Sequence, residues 1–81
     1  MIVYDCGAKL RELRKLKHLS LLDVSKETKM AKSNLSSIEL NKRNVDHEIL
    51  LDIMVNGLDY RPTHAKRIIR IWVEKSALLI K

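Results

Sequence analysis

The chain has 81 residues, a length that allows one domain with a small hydrophobic core. Sixteen Lys and Arg against ten Asp and Glu give a formal net charge of +6, which is typical of proteins that bind polyanions. The single Cys excludes an internal disulfide and fits a reducing compartment, and the apolar runs are far too short to cross a membrane. With no Phe, one Pro and two Gly, the composition favours an all-α protein over a turn-rich β fold.

The chain begins with a short apolar stretch followed by a helix. Residues 2–5 are predicted to form either an arm or a small edge strand, and Asp5 can cap the helix that follows. From Cys6 to about Lys17, leucines recur at helical spacing, which predicts helix one. The charged residues between the leucines, Arg11 among them, are expected to point outward.

Two short helices come next, joined by about three residues. Ser20 followed by Asp23 resembles a shortened capping box, which predicts that helix two begins directly after Ser20. Helix two is expected to end near Thr28, and helix three to cover residues 32–40.

The rest of the chain is predicted to form two more helices. Residues 41–44 are polar and read as a loop, after which Asp46 can cap helix four. Apolar residues at helical spacing continue this helix to Gly57. Pro62 then opens a last helix that reaches towards Lys81.

In this order, the segment from Gly7 to Tyr60 resembles the Cro/repressor (XRE-like) helix-turn-helix family of DNA-binding proteins. The resemblance rests on GAKLRELR at 7–14, LS at 19–20, DVS at 23–25, LSSIE at 35–39, Arg43, and LDY at 58–60. It implies a compact five-helix, lambda-repressor-like fold in which helices two and three read DNA. We therefore expect a single all-α domain over residues 1–81, with a helix-turn-helix core at 6–60 and a long C-terminal helix at 61–81.

The same resemblance implies an ion pair. The spacing of Arg14 and Glu39 matches the family's spacing for a partly buried pair that joins helix one to helix three. A bidentate contact between guanidinium and carboxylate needs both residue types in register, so this pair is the most specific part of the resemblance.

Four positions depart from the family pattern. Leu21 stands where the family often has a Gln that touches phosphate, and Leu40 follows Glu39 where a Gly is usual. Lys29 takes the place of a Gly in the turn, so we expect a left-handed or otherwise less favourable backbone there. Ala31 replaces the usual capping Ser or Thr before helix three, at a cost of about 1 kcal/mol.

Helix three carries hydroxyl groups where a solvated helix usually carries long side chains. With a step of about 100° per residue, Leu35 and Ile38 define its buried side. Serine hydroxyls allow close approach to base edges and can donate or accept there, Lys32 can reach a guanine or a phosphate, and Leu40 a thymine methyl group. The candidates for base contacts are Lys32, Ser33, Ser36, Ser37 and Leu40. The alternative is that the serines only cover a solvent-facing surface.

Phosphate contacts are expected from the residues around helix three. The candidates are Leu21, Leu22, Asn34, Lys42 and Arg43. The first two would use their backbone N–H groups at the start of helix two, and the other three occupy positions that touch the DNA backbone in related domains. For Lys42 and Arg43, the alternative is an ordinary solvated loop charge.

The C-terminal helix is more apolar than one small core can cover. Its apolar residues extend well around the cylinder, which would expose a patch in a monomer. We therefore expect a homodimer in which the helix packs partly on its own domain and partly on its mate, with Trp72 as the anchor. The expected interface residues are Ile68, Ile69, Trp72, Val73, Leu79 and Ile80. A monomer whose helix wraps its own domain is the alternative. The basic Lys66, Arg67 and Arg70 are expected to form a solvated face.

Catalytic sites, metal sites and cofactors are not expected. His18, His47 and His64 have no partners at metal-ligand spacing, and Cys6 reads as a small buried apolar residue. We predict a cytoplasmic regulator of transcription, a dimeric repressor of phage or mobile-element type that binds a short palindrome in double-stranded DNA. The alternatives are an antitoxin or controller component whose C-terminal helix binds another protein, and a protein-binding domain without DNA affinity.

Overall fold

The computed structural model describes residues 2–3, 6–43 and 45–80, with side chains described for 6–43 and 45–74. The elements in these ranges, in chain order, are β1 (Ile2–Val3), α1 (Gly7–Leu16), α2 (Leu21–Thr28), α3 (Lys32–Glu39), β2 (Val45–Asp46), α4 (His47–Asp52), a π-helical turn (Ile53–Gly57) and α5 (Pro62–Ile80). The all-α prediction is confirmed, and each predicted helix is present within a few residues of its expected bounds.

Two details of the N-terminal and central segments differ from expectation or refine it. β1 pairs antiparallel with β2, with Ile2 opposite Asp46, so the edge-strand reading of the first residues is the one the structure supports. Helix four was expected to run to Gly57 as an α-helix, but α4 ends at Asp52 and continues as the wider π-helical turn. The expected cap Asp5 lies outside the described residues, and the residue that precedes α1 is Cys6.

The core gathers residues from all five helices. Its fully or nearly buried apolar side chains are Cys6, Leu10, Val24, Leu35, Ile38, Val45, Leu50, Ile53, Met54, Leu58, Ala65, Ile69 and Trp72. α5 packs against α4, the π-helical turn and β1, whereas α3 packs against α1 and α2. The two helices therefore cover different sides of the domain.

One side of α5 packs on the core of its own domain. Ile69 has no exposed surface and Trp72 is only 8% exposed, because both side chains complete the core of the single chain. The ammonium group of Lys9 on α1 covers the Trp72 ring at 5.7 Å from the ring centre. Both residues therefore contribute to the core of the single chain. No helix in the described ranges is long and apolar enough to span a membrane.

Four connecting residues have a left-handed backbone, and none of them is a glycine in the part of the chain that the structure describes. His18, Lys29, Asn41 and Asp59 have φ values of 58°, 60°, 58° and 62°. Each lies at a junction between two helical segments, and the expectation for Lys29 is confirmed. At these four junctions the chain therefore uses residues with side chains, although glycine would adopt the left-handed backbone at the lowest conformational energy.

Glycine is instead required where α1 begins against the end of α3. The N–H of Gly7 donates to Oδ1 of Asn41 at 2.9 Å. A Cβ atom at position 7 would collide with the carbonyl oxygen of Ile38 and would stand 2.8 Å from that of Glu39. Backbone atoms cannot move aside as a flexible side chain can, so the contact between α1 and α3 depends on the missing Cβ.

Gly7→Ala is therefore expected to destabilise the fold by about 1–3 kcal/mol, because the added methyl group overpacks this contact. Gly→Ala inside a helix otherwise stabilises by about 1 kcal/mol. Gly57→Ala is the matched control, since its Cβ would meet only side-chain atoms, Val24 Cγ1 at 2.8 Å and Thr28 Cγ2 at 3.0 Å, and should cost less. Urea unfolding gives both values. A Gly7→Ala protein as stable as the wild type would contradict the close-approach argument.

Candidate nucleic-acid interface

The start of α2 is fixed by a complete capping box. The backbone N–H of Asp23 donates to Ser20 Oγ at 3.0 Å, and the N–H of Ser20 donates back to Asp23 Oδ2 at 2.8 Å. The hydrogen bond from the Ser20 backbone stabilises the charged carboxylate and lowers the pKa of Asp23 below its ordinary value. The predicted capping box is confirmed, and it sets the point at which α2 begins.

The turn between α2 and α3 is held by side-chain hydroxyls. Ser25 Oγ donates to the carbonyl oxygen of Met30 at 2.6 Å, and Thr28 Oγ1 donates to that of Val24 at 2.8 Å. The N–H of Met30 completes the turn by donating to Thr28 Oγ1 at 3.3 Å. These bonds offset the unfavourable backbone of the left-handed Lys29 and fix the angle between the two helices.

The C-terminal end of α3 is bound to α1 by Arg14 and Glu39. Arg14 Nε donates to Glu39 Oε2 at 2.7 Å and Nη2 donates to Oε1 at 2.9 Å, which makes the pair bidentate. Nη1 donates to the carbonyl oxygen of Leu19 at 2.8 Å. The two side chains are 12% and 11% exposed. Hydrogen bonding to Glu39 raises the pKa of Arg14 above its ordinary value, so the guanidinium stays charged.

The side of α3 opposite its buried Leu35 and Ile38 carries mostly short side chains and is accessible to solvent. Ser33 is exposed at its centre, and Lys32 is exposed at the first position of the helix. Leu40 directly follows the helix and is 53% exposed. Together with the half-buried Ser36 and Ser37, these residues form what we call the reading face: Lys32, Ser33, Ser36, Ser37 and Leu40.

The predicted phosphate contacts surround the reading face. Leu22 is 50% exposed, whereas Leu21 packs partly against the core and leaves its backbone as its polar feature. Asn34, Lys42 and Arg43 are exposed. The N–H of Lys42 donates to the carbonyl oxygen of Ser37 at 2.9 Å, which ties the loop after α3 to the helix.

The charges around this face are unevenly paired. Within the described ranges, Arg14 and Glu39 form the only salt bridge, so the exposed Lys32, Lys42 and Arg43 have no carboxylate partner there. In the same ranges, no group of three or more His, Cys, Asp and Glu is arranged to hold a metal ion. The surface is therefore suited to a polyanion that offers hydrogen-bonding groups at short range.

Sequence reasoning gave no role to two residues that the structure places at important contacts. Asn41 accepts the hydrogen bond from Gly7, which follows from its left-handed backbone at the end of α3. Arg11 was expected only to point outward, but it lies beside Ser36 and Leu40 of the reading face. Its position i−3 from Arg14 is the only signal in the sequence that could have suggested this.

The Arg14–Glu39 pair should be visible as a coupling energy. Removing Arg14 alone leaves Glu39 partly buried without its partner and is expected to cost about 3 kcal/mol, whereas Arg14→Ala with Glu39→Ala should cost less than the sum of the single changes. The exposed pair Glu12 and Lys15 on α1 provides the control, with a coupling below about 0.5 kcal/mol. Urea unfolding of both cycles gives the comparison, and additive energies at Arg14 and Glu39 would contradict the structural role.

Comparison with known proteins agrees with this geometry. A family model described as Helix-turn-helix matches residues 10–54, more than half of the chain, and this range includes the larger part of α1, all of α2, α3, β2 and α4, and the start of the π-helical turn. No curated protein sequence matches the chain significantly. The capping box, the turn, the bidentate pair and the family match agree: the chain belongs to the Cro/repressor-type (XRE) helix-turn-helix family of DNA-binding regulators.

Proposed function

We propose that the protein is a sequence-specific repressor of transcription, of phage or mobile-element type, that binds a short palindromic operator as a homodimer. The observation that carries the proposal is the reading face on α3, a helix held at both ends by fixed contacts and lined by short hydroxyl side chains. In this arrangement α3 enters the major groove and its serine hydroxyls meet the base edges.

The individual residues of the reading face have different parts in this proposal. Ser33 lies at the centre of the exposed side and is the foremost candidate for a base contact. Lys32 reaches a guanine or a phosphate from the first turn of α3, and Leu40 packs against a thymine methyl group. The half-buried Ser36 and Ser37 contact bases or sugars at the two flanks of the helix.

The DNA backbone is proposed to be held by the residues that surround α3. The N–H groups of Leu21 and Leu22 at the start of α2 face one phosphate, and the side chains of Asn34, Lys42 and Arg43 reach others. Contacts of this kind fix the register of the protein on the duplex without reading its sequence. The sequence is then read by the short side chains of α3.

The dimer is proposed to form through the outward side of α5. Because Ile69 and Trp72 belong to the core of each chain, the interface relies on Ile71, which is 46% exposed, and on the half-buried Ile68 and Val73. The side chains of the predicted Leu79 and Ile80 lie outside the described residues. A palindrome with half-sites about 34–36 Å apart would place both copies of α3 on one side of the duplex.

The reading face can be tested by enlarging its serines. Ser33→Gln and Ser37→Gln are expected to lower affinity for an operator selected from random duplexes by at least about tenfold, because the longer side chains hold α3 out of the groove. Affinity for a scrambled duplex should change little, since phosphate contacts are retained. Glu27→Gln on the exposed side of α2 is the control. Fluorescence anisotropy gives both affinities, and unchanged operator preference in both serine variants would exclude α3 as the reader.

The dimer can be tested with a charge on the exposed side of α5. Ile71→Glu is expected to give a folded monomer whose operator affinity falls by orders of magnitude, because one half-site and the linkage between the halves are lost. Leu16→Glu introduces the same charge at a side chain that is 73% exposed on α1 and should remain dimeric. Sedimentation at micromolar concentration measures both. A wild-type monomer that binds a palindrome tightly and without cooperativity would contradict the dimer, and capture of a different protein by α5 would favour the antitoxin or controller alternative.

A further inference from the structure

A surface depression of about 170 Å³ lies where α1, α2 and α3 meet. Its lining comprises Arg11 and Arg14 from α1, Leu21 from α2, and Ser36, Glu39 and Leu40 from or directly after α3. Ser36 and Leu40 belong to the reading face, so the depression borders the surface that is proposed to enter the groove. The polar residues in it are therefore within reach of the same ligand.

The two arginines of the depression differ in their bonding. Arg14 directs three donors to Glu39 and to the Leu19 carbonyl oxygen, and Glu39 accepts two of these bonds. The positive charge of Arg14 and the negative charge of Glu39 therefore largely cancel. Arg11 is exposed and has no carboxylate partner among the described residues. It leaves this border of the reading face with one uncompensated positive charge.

We propose that Arg11 binds a phosphate of the operator backbone at this depression. The inference rests on the proposed function, because it assumes that α3 enters the major groove. Duplex DNA then brings a sugar–phosphate strand along each flank of α3, and the depression lies on the flank that carries Ser36.

The chemistry of the site favours a phosphodiester over a base. A guanidinium presents parallel N–H donors that match two phosphate oxygens, and the hydroxyl of Ser36 can donate a further bond. Leu21 and Leu40 exclude water beside this contact, which strengthens the attraction between guanidinium and phosphate. Arg11 lies on α1, at the border of the reading face, whereas Ser33 lies at the centre of that face. The bases are therefore contacted by Ser33 and its neighbours.

The test compares substitutions of two exposed arginines that change the net charge equally. Arg11→Gln is expected to weaken binding to the selected operator and to a scrambled duplex by the same factor, at least about tenfold, and to reduce the salt slope of log K by about 1.8 for the bound homodimer, which is about 0.9 for each of its two Arg11 contacts. Arg11→Lys should recover most of the slope, because it restores the charge without the guanidinium fork. Arg61→Gln is the control, since Arg61 is exposed and directly precedes α5, a helix that packs mainly against α4, the π-helical turn and β1.

The outcomes separate this inference from the function on which it rests. A salt slope unchanged by Arg11→Gln, or an equal loss from Arg11→Gln and Arg61→Gln, would overturn the phosphate contact while leaving operator binding intact. Relaxed preference at one base pair without a change in slope would also overturn it, because Arg11 would then read a base. A wild-type protein that binds no duplex at all would refute the proposed function, and the phosphate contact with it. Circular dichroism of each variant shows that the fold is retained.

Discussion

The bidentate contact between Arg14 and Glu39 controls how α3 is presented. The guanidinium of Arg14, on α1, binds two other segments of the chain. It donates to the Leu19 carbonyl oxygen in the connection to α2, and to the carboxylate of Glu39, the last residue of α3. Because the fork geometry is directional, the pair restricts the rotation of α3 as well as its distance from α1. Apolar packing of Leu35 and Ile38 buries one side of α3 but would tolerate sliding, which the polar contact prevents.

A second contact holds the same two helices about two turns of α1 away. The Cα of Gly7 lies close to the carbonyl groups at the end of α3, and the N–H of Gly7 donates to Oδ1 of Asn41. This places the positive end of the α1 dipole against the negative end of the α3 dipole, which is electrostatically favourable. These two contacts fix the C-terminal end of α3 against α1, and the hydroxyl-bonded turn around Lys29 fixes its other end. The serines of α3 therefore face solvent in a fixed orientation before any ligand arrives.

Local signals in the sequence predicted the helices well, and long-range packing explains what they missed. The capping box at Ser20 depends on neighbouring residues alone and was readable, and the partners Arg14 and Glu39 followed from the family resemblance. The π-helical turn packs against α2, and no local pattern in the sequence predicted it. Helical periodicity showed that Ile69 and Trp72 share an apolar side with other residues, but it could not decide whether that side meets the chain's own core or a second copy.

The left-handed residues at the helix junctions lower the stability that the domain could reach. A non-glycine residue in this conformation costs roughly 1–2 kcal/mol, although Asn, Asp and His adopt it more readily than Lys. His18 and Lys29 therefore hold conformational energy that glycine would release, at positions outside the reading face. The natural chain is not at its stability optimum, and part of the shortfall is stored in its backbone. Laboratory evolution for heat resistance should accumulate glycine at these two junctions while leaving the surface that faces DNA unchanged.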